Sequence, residues 1–298
     1  MTETSTVPRT GPSLSPGAPP SRRRGLRGPT FTQVVLGVPI IFMTVMYAYP
    51  VAGVLLRSIT DPEMGFGNFV SATQDPVVLK VLWITVGIAA KVALITVILG
   101  FPVAYFMSVQ PRRRARMLAL MVIIPFWTSV LVRSFAWIVL LGDDGVVSKV
   151  LEPFTGTTAG LLYSEPAVVI AMSHVLLPYT ILIIKGSLDQ IDGTLVRAAR
   201  TLGAGPIRAY CQIYLPLAAP AMVSSGMLVF IMGLGYYITP ALVGGAKQTT
   251  ISMLIEQDVT VTLQWGAAAT LATILLLVSV LLFALVRKFT KLGGMVSI

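Results

Sequence analysis

The chain has 298 residues, 55% of them hydrophobic and only 11% charged, with a net charge of +10. Soluble domains carry about 25% charged residues, so this composition excludes a soluble enzyme, a disordered protein and a disulfide scaffold. The mean hydropathy of +0.83 makes lipid part of the chain's solvent.

A soluble domain this basic would suggest nucleic acid as a partner. Here the basic residues cluster between apolar runs, which is the pattern of loops held in the cytoplasm, so no nucleic-acid partner is expected. Cys211 is the single cysteine and allows no intrachain disulfide.

Residues 1–30 are rich in Pro, Ser, Thr and Gly and end in the basic cluster Arg22, Arg23, Arg24 and Arg27. Such a segment cannot bury enough apolar surface to offset the entropy of ordering, and a disordered basic cytoplasmic tail is expected. The apolar run that follows is too long for the core of a cleavable signal, and no small-residue cleavage site ends it.

Residues 31–298 read as one polytopic membrane domain. Six apolar segments are expected to span, at about Phe31–Leu56, Val81–Val109, Met117–Leu141, Pro166–Ile184, Leu217–Tyr237 and Ala267–Val286. Each is long enough to cross a hydrocarbon core of about 30 Å as a helix. Strands would need a closed barrel with alternating faces, and no such alternation appears. The fold expected is all-α and transmembrane.

Of the 22 Lys and Arg residues, sixteen fall in the tail, the second and fourth loops and the C-terminus. Four fall in the other three loops, and Lys91 and Arg133 lie within spans. That bias places both termini in the cytoplasm. Nine acidic residues lie in the three external loops against those four bases. Keeping the bases inside suffices to explain this excess.

The fourth loop, about residues 185–216, is the longest cytoplasmic connection. Leu195, Ala198, Ala199 and Leu202 share one helical face by their spacing. Asp192 or Thr194 can cap the start. Gly203 stands where that helix would stop, and Pro206 where a second short helix would begin. The result is a helix–turn–helix, either a docking element or an amphipathic loop lying at the membrane interface.

The same residues carry a resemblance. Arg197-Ala198-Ala199, three residues, Gly203, nine residues and Ile213-Tyr214-Leu215-Pro216 resemble the E-A-A…G…I-x-L-P signature of ABC-importer permeases. Arg197 stands where the signature has glutamate. Four further stretches are similar to permeases of the spermidine/putrescine type: Gly100–Phe106, Ile124–Ser129, Val132–Trp137 and Tyr237–Gly245. The resemblance covers about residues 31–290.

It implies a six-helix type I importer permease of the MetI-like fold, in a bacterial inner membrane, carrying polyamines or a similar small organic solute. The fourth loop would couple to two ATP-binding subunits, which hold ATP and magnesium; no cofactor is expected in this chain. The other partners implied are a second permease or second copy, and a periplasmic or extracellular solute-binding protein. Its coupling residues are Arg197, Ala198, Ala199, Gly203, Ile213, Leu215 and Pro216.

Trp127, Arg133, Trp137, Tyr236 and Tyr237 are candidates for the solute pathway. The aromatics also suit interfacial anchoring and cation–π contacts, and Arg133 also suits a structural role near the outer mouth. Lys91 is expected to pair with a carbonyl or a neighbouring subunit. His174, the only histidine, is expected to pack or hydrogen-bond. Gly226, Gly233 and Gly235 are expected to permit close helix packing, and Pro216, Pro220 and Pro240 to bend or end the fifth span.

No G-x-x-x-x-G-K-[ST] loop occurs, so ATP hydrolysis by that route is excluded. An ion-coupled secondary transporter is the alternative, weakened by the lack of carboxylates within the expected spans. An intramembrane enzyme would need more than a lone His174.

Overall fold

The computed structural model describes residues 31–155 and 161–294, so the expected disordered tail lies outside the described residues. Those residues form thirteen α-helices and no strand. They are α1 (Phe31–Thr60), α2 (Gly67–Gln74), α3 (Pro76–Ser108), α4 (Arg112–Ile123), α5 (Val130–Leu141), α6 (Val146–Thr155) and α7 (Glu165–Leu188). After these come α8 (Gly193–Thr201), α9 (Pro206–Ala209), α10 (Leu215–Leu234), α11 (Ile238–Val243), α12 (Ile251–Thr260) and α13 (Trp265–Gly294). The chain divides into two units, residues 1–50 and residues 51–298. In the first, α1 carries apolar side chains around its whole circumference from Val35 to Tyr49, as a helix bathed in lipid does. The packing described below is that of the second.

Five helices are long and apolar enough to cross a membrane: α1, α3, α7, α10 and α13. The expected third span, about Met117–Leu141, is not one straight helix. After α4 comes a single 3₁₀ turn, Ile124–Trp127, and α5 departs at 94°. Pro125 supplies no backbone donor inside that turn. Thr128 is extended (φ −91°, ψ 142°), and its Oγ1 donates to the Pro125 carbonyl at 2.7 Å. Ser129 Oγ then accepts from the Leu131 N–H at 3.3 Å and caps a new helix. With 12 residues, α5 reaches about 18 Å, too short to cross alone.

The second unit is built around α3, α7 and α10. Ile88 and Val92 of α3, Val168, Met172 and Leu176 of α7 and Val229 of α10 form one buried layer. Phe101, Ala104 and Met107 pack with Ile181, Ile184, Leu188 and Ala218 in a second layer nearer the fourth loop. The close approach depends on missing side chains. A Cβ on Gly100 would lie 2.9 Å from Thr180 Cγ2, one on Gly226 3.1 Å from Val97, and one on Gly233 3.2 Å from Ala89. Gly235 differs from expectation: nothing faces it, and it ends α10 instead.

The remaining helices dock on this trio. Leu141, Ala167, Ala171 and Val243 join α5, α7 and α11, and Val81, Ile251 and Leu271 join α3, α12 and α13. Thr85 Oγ1 accepts from the Ile251 N–H at 2.9 Å, which satisfies a donor at the start of α12.

Gly100→Val places two methyl groups where Thr180 already sits. It is expected to destabilise the chain by about 1–3 kcal/mol, read as a lower melting temperature of the purified protein; Gly87→Ala, which meets nothing within 4 Å, is the control.

Candidate functional site

The fourth loop folds into α8, a turn, α9 and one π-helical turn, Tyr210–Tyr214, that runs into α10. Asp192 is the cap: its Oδ1 accepts from the Thr194 N–H at 2.9 Å. Hydrogen bonds from the Thr194 hydroxyl and N–H, helped by the Arg197 charge, hold the Asp192 carboxyl below its ordinary pKa. At the other end Gly203 has φ +86°. The Ala204 N–H bonds the Ala199 carbonyl at 2.9 Å across that turn, which is the bond a left-handed residue after a helix makes possible. Nothing lies within 4 Å of a Cβ built on Gly203. The demand for glycine there is backbone conformation, not space.

The loop has two faces. Outward, Leu195, Leu202 and Ile207 are 50%, 88% and 79% exposed, and Arg197 and Ala198 are exposed beside them. Inward, Ile191, Tyr210 and Tyr214 pack on the Phe101–Met107 stretch of α3 and on Ile184 and Leu188 of α7. Tyr105 stands edge-on to both tyrosines, with ring centroids 4.7 Å and 4.9 Å away, and Phe101 meets Tyr210 at 5.2 Å. Ile213 is half-buried, while Leu215 and Pro216 at the start of α10 are exposed. The helical spacing marked Leu195 and Leu202 of the outward ridge, and the turn, but not Ile207. It did not mark Tyr210 and Tyr214 as the residues that fasten the loop to the bundle.

Of the expected pathway residues, the structure brings three together. Arg133 is half-buried, and its Nε is buried with no hydrogen-bond partner. Its charge acts on His174 and Tyr236. Trp137 Nε1–H donates to His174 Nδ1 at 3.3 Å, which requires that nitrogen to be bare. Tyr179, edge-on to Phe126 at 4.8 Å, lies beside Tyr236. Ser134 and Thr239, a buried hydroxyl pair 3.2 Å apart, pin α5 to α11 below this group. The other two expected residues stand apart: Trp127 is 88% exposed at the break before α5, and Tyr237 lies beside Glu256. His174, Tyr179 and Phe126 were not singled out for the pathway, since only the packing of α7 against α5 assembles them.

Lys91 departs from expectation. Within the chain its partner is a carboxylate rather than a carbonyl, that of Glu165 at the start of α7.

Comparison with known proteins bears on this geometry. A family model described as binding-protein-dependent transport system inner membrane component matches residues 96–291. The spermidine/putrescine transport system permease protein PotB of Haemophilus influenzae is 29% identical over 229 residues, 75% of this chain and 79% of that protein. The molybdenum transport system permease protein ModB of Mycobacterium bovis is 26% identical over 257 residues, 86% of this chain and 94% of that protein.

Two solved structures share the fold. One is a bacterial ABC transporter involved in the import of the acidic polysaccharide alginate, with a TM-score of 0.66 at 16% identity, covering 87% of this chain and 95% of that one. The other is the MetNI methionine ABC transporter in an inward-facing conformation, with a TM-score of 0.51 at 18% identity, covering 73% and 96%. The architecture is that of type I importer permeases.

Gly203→Val forces a β-branched residue into a left-handed conformation, at about 1–2 kcal/mol; Gly203→Asn tolerates it better. The valine variant is expected to lose amide-exchange protection at Ala204, and the asparagine variant to keep it.

Proposed function

The chain belongs to the binding-protein-dependent transport system inner membrane components, and from that premise we propose that it supplies half of the membrane channel of an ATP-driven polyamine importer. The family is a membrane permease subunit and not an enzyme. Both termini lie in the cytoplasm in this reading, as the excess of Lys and Arg in alternate loops requires.

The observation that carries the proposal is the two-faced fourth loop. Its ridge of Leu195, Leu202 and Ile207 is exposed among the described residues, and its reverse side is locked to α3 by three tyrosines. An ATP-binding subunit docked on the ridge, holding ATP and magnesium, would push α3 and α10 together through those rings when it closes. Two such subunits, a second permease or second copy and an external solute-binding protein complete the assembly. Residues 31–298 serve as the membrane domain, 185–216 as its coupling loop, and 1–30 as a cytoplasmic tail. Arg197 then meets the ATP-binding subunit where the signature glutamate would, and an acidic group on that subunit would complement it.

Arg133, Trp137 and Tyr236, with His174, Tyr179 and Phe126, form the candidate solute pathway. Aromatic faces there suit the ammonium groups of a polyamine, and the PotB relatives support that solute class. One observation favours a second reading of the solute. The buried, unpaired Arg133 Nε suits an acceptor-bearing anion better than a polycation.

Two tests follow. Leu202→Asp is expected to leave the chain inserted while abolishing both co-purification of an ATP-binding subunit and solute uptake; full recovery of that subunit would refute docking on the ridge. Uptake of labelled spermidine by cells carrying the full importer is expected to fall when unlabelled putrescine competes. Uptake of a labelled small oxyanion and none of labelled spermidine would transfer the assignment to anions.

A further inference from the structure

Lys80, Trp83, Gly87 and Lys91 follow one another at spacings of three, four and four along α3 and so share one helical face. With Glu165, Lys247 and Gln248 they line a cavity of about 400 Å³. Three cations and one carboxylate face it. Glu165 pairs with Lys91, and among the described residues Lys80 and Lys247 form no ion pair. The lining therefore carries surplus positive charge.

The depth of the cavity follows from the helix register. Gly100 sits against Thr180, which places Lys91 opposite Ala171, about 9 Å deeper than Glu165. The Lys91 ammonium climbs back to that carboxylate, as a lysine near a membrane boundary does. Lys80 stands about 16 Å further out on α3, and Trp83 beside it is 75% exposed, the position of an interfacial anchor. Past Lys91 the same face continues through Leu94 and Ile98, 61% and 57% exposed. A cationic recess at the interface thus leads directly into an open apolar track.

We propose that this recess binds the phosphate headgroup of an anionic phospholipid from the outer leaflet, with an acyl chain lying along Leu94 and Ile98. This rests on the polyamine reading, under which a polycationic solute would be repelled here and the recess lies off the transport path. An acidic protein could reach Lys80 and Lys247 from outside, but would leave the apolar track and the depth of Lys91 without a role.

The test is native mass spectrometry of the delipidated full-length chain, offered phosphatidylglycerol or phosphatidylcholine with identical acyl chains. The wild type is expected to retain phosphatidylglycerol preferentially. K80Q/K247Q is expected to reduce that preference by about fivefold per lysine. E165Q, which removes the one opposing charge, is expected to increase it, a result that a purely structural role for Glu165 would not produce. Equal retention of both lipids by the wild type overturns the proposal, as does an unchanged preference in K80Q/K247Q. If that double variant fails to fold, an unchanged preference in E165Q overturns it instead. Displacement of the lipid by inorganic phosphate at equal concentration would mark a free-phosphate site and overturn the lipid assignment.

Discussion

With lipid outside, burying an apolar side chain against another helix gains little over leaving it among acyl chains. Helix association then rests on close contact between small groups and on the few polar bonds between helices. In this chain the contact is the seam where Gly100 admits Thr180, flanked by Gly226 on Val97 and Gly233 on Ala89. The seam sets how near α3 comes to α7 and α10, and both candidate functional regions inherit its register. Toward the fourth loop, the register brings Phe101 and Tyr105 under Tyr210 and Tyr214. Toward the opposite end, it brings Lys91 within reach of Glu165.

Under the coupling role proposed for the fourth loop, the aromatic platform is what would let it move a span. Aromatic side chains have few rotamers and large contact areas, so a displacement of α8 and α9 is passed to α3 with little lost to side-chain rearrangement. The π-helical turn at Tyr210–Tyr214 matters here, since such turns interrupt regular helix bonding and tend to sit at functional sites. It joins the loop to α10 just before Pro216, whose missing N–H further loosens the first turn. The loop is thus gripped firmly by α3 and joined to α10 at a weaker point, which favours hinge motion at the start of α10.

What the sequence made legible was local. Apolar runs of span length revealed five helices, because a helix alone satisfies its backbone within one segment in lipid, whereas strands need a closed barrel. Asp192, Gly203 and Pro206 revealed the loop's caps and turn, because those depend on neighbours a few residues away. The break before α5 was also written locally, in Pro125 and Ser129, but continuous hydropathy across Met117–Leu141 concealed it: hydropathy reports affinity for lipid and is blind to a stop and a new cap. What stayed hidden was long-range. Lys91 and Glu165 are 74 residues apart, Trp137 and His174 are 37 apart, and no periodicity relates them.

The two cations placed within spans show two solutions to one electrostatic problem. A charge at membrane depth is costly unless it is paired or reaches water. Lys91 adopts both remedies: its flexible stem climbs toward the interface and its ammonium finds a carboxylate. Arg133 adopts neither in full. It is half-buried, its Nε lacks a partner, and its neighbours His174 and Tyr236 carry no compensating charge. A planar guanidinium with an unused donor keeps its capacity for a directed bond. In a transporter that alternates between states, such a donor can be satisfied in one state by solute and in another by water or a moved carbonyl.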